Sequence, residues 1–319
     1  MVNYNLVIIG GGASGLAAGV EALKRGIKDV LIIDRNNDLG GNLNVFIHNG
    51  FGKNYLGKEV TGPELASFII REYKALGGKI KVQTQVLEVT KEKIVCYVNP
   101  SEGVTEISAN TIIVASGCRD RYTGNIIVPI HKHTGIFTIG SAHRMVNLEG
   151  YLPGEEVVIL GKSKWALILA RRLIIEGAKI KAIIDNSPNG FTTDEELEII
   201  ECFDIPIINK SKVIEVLGDE RINAVKIQNN EDESITNIEC DSLILSVGYF
   251  PEIDFLRKAR VELDDEKLQL ITRGYETSIK GIYACGTVLN GEAIIGISEE
   301  EGRKVGEIVS DYLKNMHRS

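Results

Sequence analysis

Short apolar runs closed by a glycine or by a single acid recur along this 319-residue chain. Leu6 to Ile9 runs into Gly10, Val30 to Ile33 stops at Asp34, Val157 to Leu160 runs into Gly161, and Ala182 to Ile184 stops at Asp185. Runs without polar alternation predict strands covered on both faces, as in a parallel sheet. The stretch between the two runs of each pair is helical in spacing, so each pair predicts strand, helix, strand. The two pairs match in register. From Gly10 to Asp34 is 24 positions, as from Gly161 to Asp185, and Gly26 and Gly177 each stand 8 positions before their acid.

The remaining pattern closes each repeat in the same way. A helix is predicted from Pro63 to Leu76, with proline in its first turn and Gly77-Gly78 after it. Strands follow at Lys79 to Val82, Val86 to Thr90, Ile94 to Val98, Glu106 to Ser108 and Thr111 to Ser116, the last stopping at Gly117. The second repeat ends on Ser242 to Val247, stopping at Gly248. A last strand, Gly281 to Ala284, meets Gly286, and a helix is predicted from about Ala293 to Leu313. Because the second repeat is already complete, these final elements belong with the first. The expected architecture is α/β: two Rossmann-like dinucleotide-binding domains of three-layer ββα type, the second (122-245) inserted in the first (1-121 and 246-319).

The first turn, Gly10-Gly11-Gly12-Ala13-Ser14-Gly15, meets each demand of a dinucleotide fingerprint. Gly10 permits the tight strand-to-helix turn, Gly12 admits a pyrophosphate to the backbone, and Gly15 lets helix pack on strand. The helix N-terminus offers N–H groups to phosphate, and Asp34 can accept hydrogen bonds from an adenosine ribose. In the second copy Gly161 is kept, but Ser163 and Ala166 stand where the other two glycines belong. Their side chains are expected to crowd phosphate and the helix–strand contact, so this copy is expected to bind a nicotinamide nucleotide poorly or not at all. Lys162, Lys164 and Trp165 offer an alternative, two cations for phosphate and a ring for a base; solvated lysines and a packed tryptophan are the simpler expectation. Asp185 disfavours a 2′-phosphate, which sets NADH ahead of NADPH for this copy.

Apolar content of 44% and charged content of 25% fit a globular protein, and a net charge of −8 with scattered cations argues against nucleic acid as a partner. No apolar stretch reaches spanning length and the N-terminus enters a strand directly, so no membrane span and a cytoplasmic location are expected. The cysteines, Cys96, Cys118, Cys202, Cys240 and Cys285, include no C-x-x-C. A local redox dithiol and a cysteine-clustered metal site are thereby removed, and single buried thiols are expected. His131-Lys132-His133 lacks a third ligand nearby; a surface strand is expected there, and no metal site.

These motifs carry a resemblance over the full length. Gly10 to Gly15, Asp34-Arg35, Gly40-Gly41, Ala115-Ser116-Gly117, Gly248-Tyr249-Phe250-Pro251 and Ile282-Tyr283-Ala284-Cys285-Gly286 are similar to those of the two-dinucleotide-domain flavoproteins, the pyridine nucleotide–disulfide oxidoreductase superfamily. Leu43-Asn44, Ile47 to Gly52, Gly117 to Arg121 and Val146 to Gly154 resemble, within it, flavoprotein subunits associated with glycerol-3-phosphate dehydrogenase and the alpha-type subunits of sarcosine oxidase, hydrogen cyanide synthase and dye-linked proline dehydrogenase. The resemblance implies FAD in the first domain, its ADP half on Gly10, Gly12, Ala13, Ser14, Gly15, Asp34 and Arg35. It implies Gly41, Asn42, His48 and Asn49 towards the flavin, with Val86, Ala115, Ser116 and Gly117 alongside and Gly286 and Thr287 by the ribityl chain. A helix opening near Ile294 and Ile295 would aim its N–H groups at the flavin N1–C2=O edge and raise its potential. Phe46 stands where the family often has a cysteine, and Thr287 where it has an acid or amide.

The function expected is that of an FAD-dependent oxidoreductase, a flavoprotein subunit of a multi-subunit dehydrogenase that exchanges electrons with a partner chain in an oligomer. A stand-alone NAD(P)H-dependent flavin reductase is the alternative. A non-catalytic FAD-containing assembly or nucleotide-sensing subunit is a third. His48 is the candidate catalytic group near flavin N5, against a histidine simply bonded within its loop.

Overall fold

The computed structural model describes residues 1–122, 132–187, 189–264, 269–291 and 297–316. In chain order the elements that place the site are β1 (Val2–Ile9), α1 (Ala13–Lys24), β2 (Val30–Ile33), α2 (Gly62–Ala75) and β3 (Gly103–Val114). There follow β4 (Glu156–Leu160), α3 (Lys164–Ile175), β5 (Lys179–Ile184), β6 (Ser242–Leu245), β7 (Ile282–Ala284) and α4 (Ile297–Met316). They form two compact units, Met1–Arg119 with Phe250–Ser319, and Asp120–Tyr249, against expected limits of 1-121 with 246-319, and 122-245.

In the first unit β1 lies between β2 and β3, all parallel, with Ile9 beside both Ile33 and Val114. β7 extends the sheet beyond β3, and Lys79–Lys81 extends it beyond β2. Alternation divides the buried residues between two layers. Val7, Ile9, Leu31 and Ile33 pack with Val86, Val89, Val95 and Tyr97 of an antiparallel layer. Ile8 faces the helices, where Gly19 of α1 and Tyr73 of α2 meet it. Each such fully buried side chain contributes about 1.5–3 kcal/mol. α2 starts on a capping box, Thr61 accepting the Glu64 N–H while Glu64 accepts the Thr61 N–H at 2.8 Å. It is pinned by the Tyr73 hydroxyl, 3.0 Å from the Val30 carbonyl and 3.1 Å from that of Lys79.

The second unit repeats the scheme. β4 lies between β5 and β6, with Ile159 beside both Ile183 and Ile244, and Ile207–Ile208 extends the sheet beyond β5. Beyond β6, where the first unit has β7, stands Ile136–Thr138, a strand that precedes the repeat in sequence. A three-stranded antiparallel sheet, Ser211–Gly218, Ile222–Asn229 and Ile235–Glu239, covers one face, packing Val213, Val225 and Ile227 on Val158, Ile184 and Leu245. Each unit is therefore of the three-layer ββα type.

Three local expectations are corrected. Glu106 to Ser108 and Thr111 to Ser116 are parts of one 12-residue strand, β3, because Asn110 stays in the ladder by an amide bond of 2.9 Å to Asn5. Lys132 and His133 are not in a strand, and His131 lies outside the described residues. The cysteines are all free, but only Cys240 and Cys285 are buried, and Cys202 is exposed. No helix among the described residues is long and apolar enough to cross a membrane.

Candidate functional site

The site of the first unit grows out of the β1–α1 turn. Gly10 has φ +105°, and a methyl on it would lie 2.2 Å from the Ala115 carbonyl oxygen. Only glycine fits so close under the end of β3. Gly15 is closed in the same way, since a methyl there would lie 1.9 Å from the Gly10 oxygen. At Gly12 the situation is opposite. A methyl would meet nothing nearer than the Gly41 Cα at 4.0 Å, so the space over the turn is open. α1 opens with no side chain capping it, which leaves its first N–H groups to a ligand.

The surrounding expected residues converge here. Gly41 brings the segment ending in Asn42 against Gly12, its methyl position 3.0 Å from the Gly12 Cα. Gly286 abuts Ser14, with 2.3 Å between a methyl on the glycine and the serine Oγ, and Gly117 faces the Thr287 hydroxyl at 3.4 Å. Asp34, 6% exposed, accepts the Gly11 N–H at 2.7 Å and the Asn36 N–H at 2.8 Å. Ala13 begins α1, Ser116 donates to the Glu252 carbonyl at 2.6 Å, and Arg35 pairs with Glu252 at 3.3 Å. Val86 is a core residue of the antiparallel layer, 5% exposed. Ile294 and Ile295 lie outside the described residues, and α4 is described only from Ile297.

An open turn with uncapped N–H groups and an acid at the end of β2 is what an adenosine diphosphate moiety requires, so these residues fit FAD. His48 is held within its loop. Its Nδ1 lies 2.8 Å from the Asn49 carbonyl, which only accepts, so the proton sits on Nδ1. Phe51 stands 5.1 Å from its ring centre and Phe46 6.0 Å.

The second turn has the backbone of the first. Gly161 also has φ +105°, a methyl on it would lie 2.0 Å from the Ser246 carbonyl, and its N–H donates to Ile184 at 2.8 Å, as Gly10 does to Ile33 at 2.8 Å. Ser163 does not project into the phosphate space. Its Oγ accepts the Ala166 N–H at 3.0 Å as the N-cap of α3 and pairs with Ser246 Oγ at 2.8 Å. Ala166 is buried in the helix–strand contact. The expected crowding at both positions is thus corrected. Lys164 pairs with Glu195 at 2.8 Å, and Trp165 is 4% exposed, so neither is offered to a nucleotide as it stands. Lys162 bonds backbone carbonyls, and Asp185, 9% exposed, accepts the Ser187 hydroxyl.

The sequence reading did not single out Ser246, Ser187, or Glu301, which accepts the Gly286 N–H at 3.0 Å. Ser246 was within reach, because aligning Thr111 to Gly117 on Ser242 to Gly248 sets it opposite Ala115.

The profile described as pyridine nucleotide-disulphide oxidoreductase matches residues 4–304. The chain belongs to this family. FAD is the cofactor of these oxidoreductases. A thioredoxin reductase of Borreliella burgdorferi is 24% identical over 291 residues, covering 90% of this chain and 84% of that protein. A ferredoxin–NADP reductase of Picrophilus torridus is 24% identical over 301 residues, covering 92% and 87%. The structure of a thioredoxin reductase from T. acidophilum superposes with a TM-score of 0.81 at 24% identity, covering 98% of this chain and 99% of that one, which shows the shared fold. These relatives are reductases, and they carry the resemblance to the superfamily but not to the dehydrogenase and oxidase subunits within it.

Proposed function

We propose that the chain is a nicotinamide-nucleotide-dependent flavoprotein reductase that passes electrons to an acceptor outside itself. The observation that carries this is the second turn, which keeps the backbone of the first and folds Ser163 inwards, leaving the approach to the α3 N-terminus free of that side chain. The likeness to reductases over nine-tenths of the chain supports the same reading and not a subunit dependent on a partner.

Bound FAD supplies the step between a two-electron hydride donor and an acceptor taking electrons singly or in pairs. Gly12, Ala13 and Ser14 present backbone to its pyrophosphate, Asp34 takes the adenosine ribose, and Gly286 and Thr287 line the remaining edge of the turn. In the second unit Gly161 and Asp185 do the same for the nicotinamide nucleotide. No two cysteines stand in a C-x-x-C spacing, and burial pushes the Cys240 thiol up to about 12 and that of Cys285 higher still. Electrons therefore leave without a dithiol relay in this chain. The test is anaerobic mixing of the yellow protein with NADH or NADPH. Bleaching of the flavin band at about 10 per second or faster supports the proposal; no bleaching by either nucleotide overturns it.

A further inference from the structure

In the first unit the middle residue of the turn abuts the acid that takes the ribose. The Gly11 N–H donates to Asp34 Oδ2 at 2.7 Å, and a methyl on Gly11 would lie 3.2 Å from that oxygen. In the second unit that middle residue is Lys162. Its ammonium donates to the Asn189 carbonyl at 3.1 Å and to the Gly190 carbonyl, and stands 5.6 Å from the centre of the Phe191 ring. Ser187 Oγ lies 3.0 Å from the same Asn189 carbonyl and donates to the Asp185 carboxylate. Ammonium, carbonyl, hydroxyl and carboxylate thus follow one another in contact.

The charge on Lys162 is unanswered. Among the described residues no carboxylate lies within ion-pair distance of it, whereas the neighbouring Lys164 has Glu195 at 2.8 Å. The acid that feels it, Glu196, is spent on the N–H groups of Thr192 and Thr193 at the start of the helix Asp194–Cys202. An ammonium has three donors, and two go to neutral carbonyls. A cation kept in place by carbonyls and a ring face, one residue into the turn and next to the ribose acid, is suited to an anion carried by that ribose.

We infer that Lys162 recognises the 2′-phosphate of NADPH, so that the second unit takes NADPH in spite of Asp185. This rests on the reductase proposal. The acid alone favours a free 2′-hydroxyl, but its carboxylate already receives the Ser187 hydroxyl, and the adjacent ammonium neutralises it.

The test uses the FAD-loaded full chain. Half-saturating NADPH and NADH are measured by anaerobic bleaching for the wild type, Lys162→Gln and Lys162→Arg. In parallel, adenosine 2′,5′-bisphosphate and 5′-AMP are titrated against emission of Trp165, the sole tryptophan, which sits in the first turn of α3. Loss of one charge-assisted contact predicts a rise of about tenfold or more in half-saturating NADPH for Lys162→Gln, and of less than about threefold for NADH. Lys162→Arg stays near the wild type for both, and only the bisphosphate loses affinity with Lys162→Gln. If Lys162→Gln weakens both nucleotides alike, or neither, or if the wild type is bleached by NADH alone, Lys162 does not read the phosphate although the reductase proposal stands. If neither nucleotide bleaches the wild type, that proposal falls and this inference with it.

Discussion

Replacing Ser163 by alanine removes two contacts at once, the N-cap bond to the Ala166 N–H at 3.0 Å and the pair with Ser246 Oγ at 2.8 Å. Loss of a serine cap costs about 1 kcal/mol. Ser246 is only 8% exposed, so its hydroxyl is left nearly buried without a partner. That adds about 1–3 kcal/mol. A total of ~2–4 kcal/mol, at a urea dependence of ~2 kcal/mol per molar, lowers the midpoint of this unit by about 1–2 M. Trp165, 4% exposed in α3, reports that transition. Ser163→Ala with Ser246→Ala removes both hydroxyls and leaves no orphan. The double variant therefore lies about 1 kcal/mol below the wild type, well short of the summed single losses. Additive losses would refute the hydroxyl pair. Ser163→Gly supplies the turn with its second glycine, yet the inward hydroxyl predicts a change in nucleotide-driven bleaching of less than about threefold. A tenfold gain would show that the side chain does stand in the phosphate path.

Acid release from the purified protein yields FAD and not FMN, checked by chromatography, and Gly12→Leu yields a folded, colourless protein, since the open space over Gly12 is filled without a clash against protein. Lys81, Asn99 and Tyr97 hold the Glu102 carboxyl down at about 2. The unfolded chain takes up this proton near the ordinary 4.5, so stability conferred above that pH declines as pH falls towards 2, and Glu102→Gln flattens this acid limb in urea titrations. Iodoacetamide at neutral pH labels Cys202 first, while Cys285, wholly buried, reacts only on unfolding; mass spectrometry of the peptides checks the order.

The parallel strands were legible because each is an unbroken apolar run stopped by a glycine or acid that the turn itself requires. β3 was harder. Ser108, Asn110 and Thr111 read as a break, and only the amides of Asn3 and Asn5 on the neighbouring strand keep such residues in a ladder. The first dinucleotide turn could be read from three glycines and an acid, since its chemistry is backbone chemistry. The second could not, because what Ser163 does depends on a hydroxyl 83 positions away, and what Lys162 does depends on carbonyls 27 and 28 positions away. Side-chain type suggested obstruction; side-chain direction, set by tertiary partners, removed it.

The contact between α1 and α4 carries a consequence for how the protein is made. Gly302 and Gly306 of α4 let it lie directly on Ser14 and Ala18 of α1, and β7 completes the sheet beside β3. The turn that begins the chain is thus finished by residues synthesised last, whereas the second unit is continuous from Asp120 to Tyr249. On the ribosome, where segments fold as they emerge, the second unit can reach its native state while the first is still an open half. FAD capture is then a late step, coupled to the arrival of α4, and the flavin acts as the ligand that closes a unit whose two halves are separated by a domain already folded.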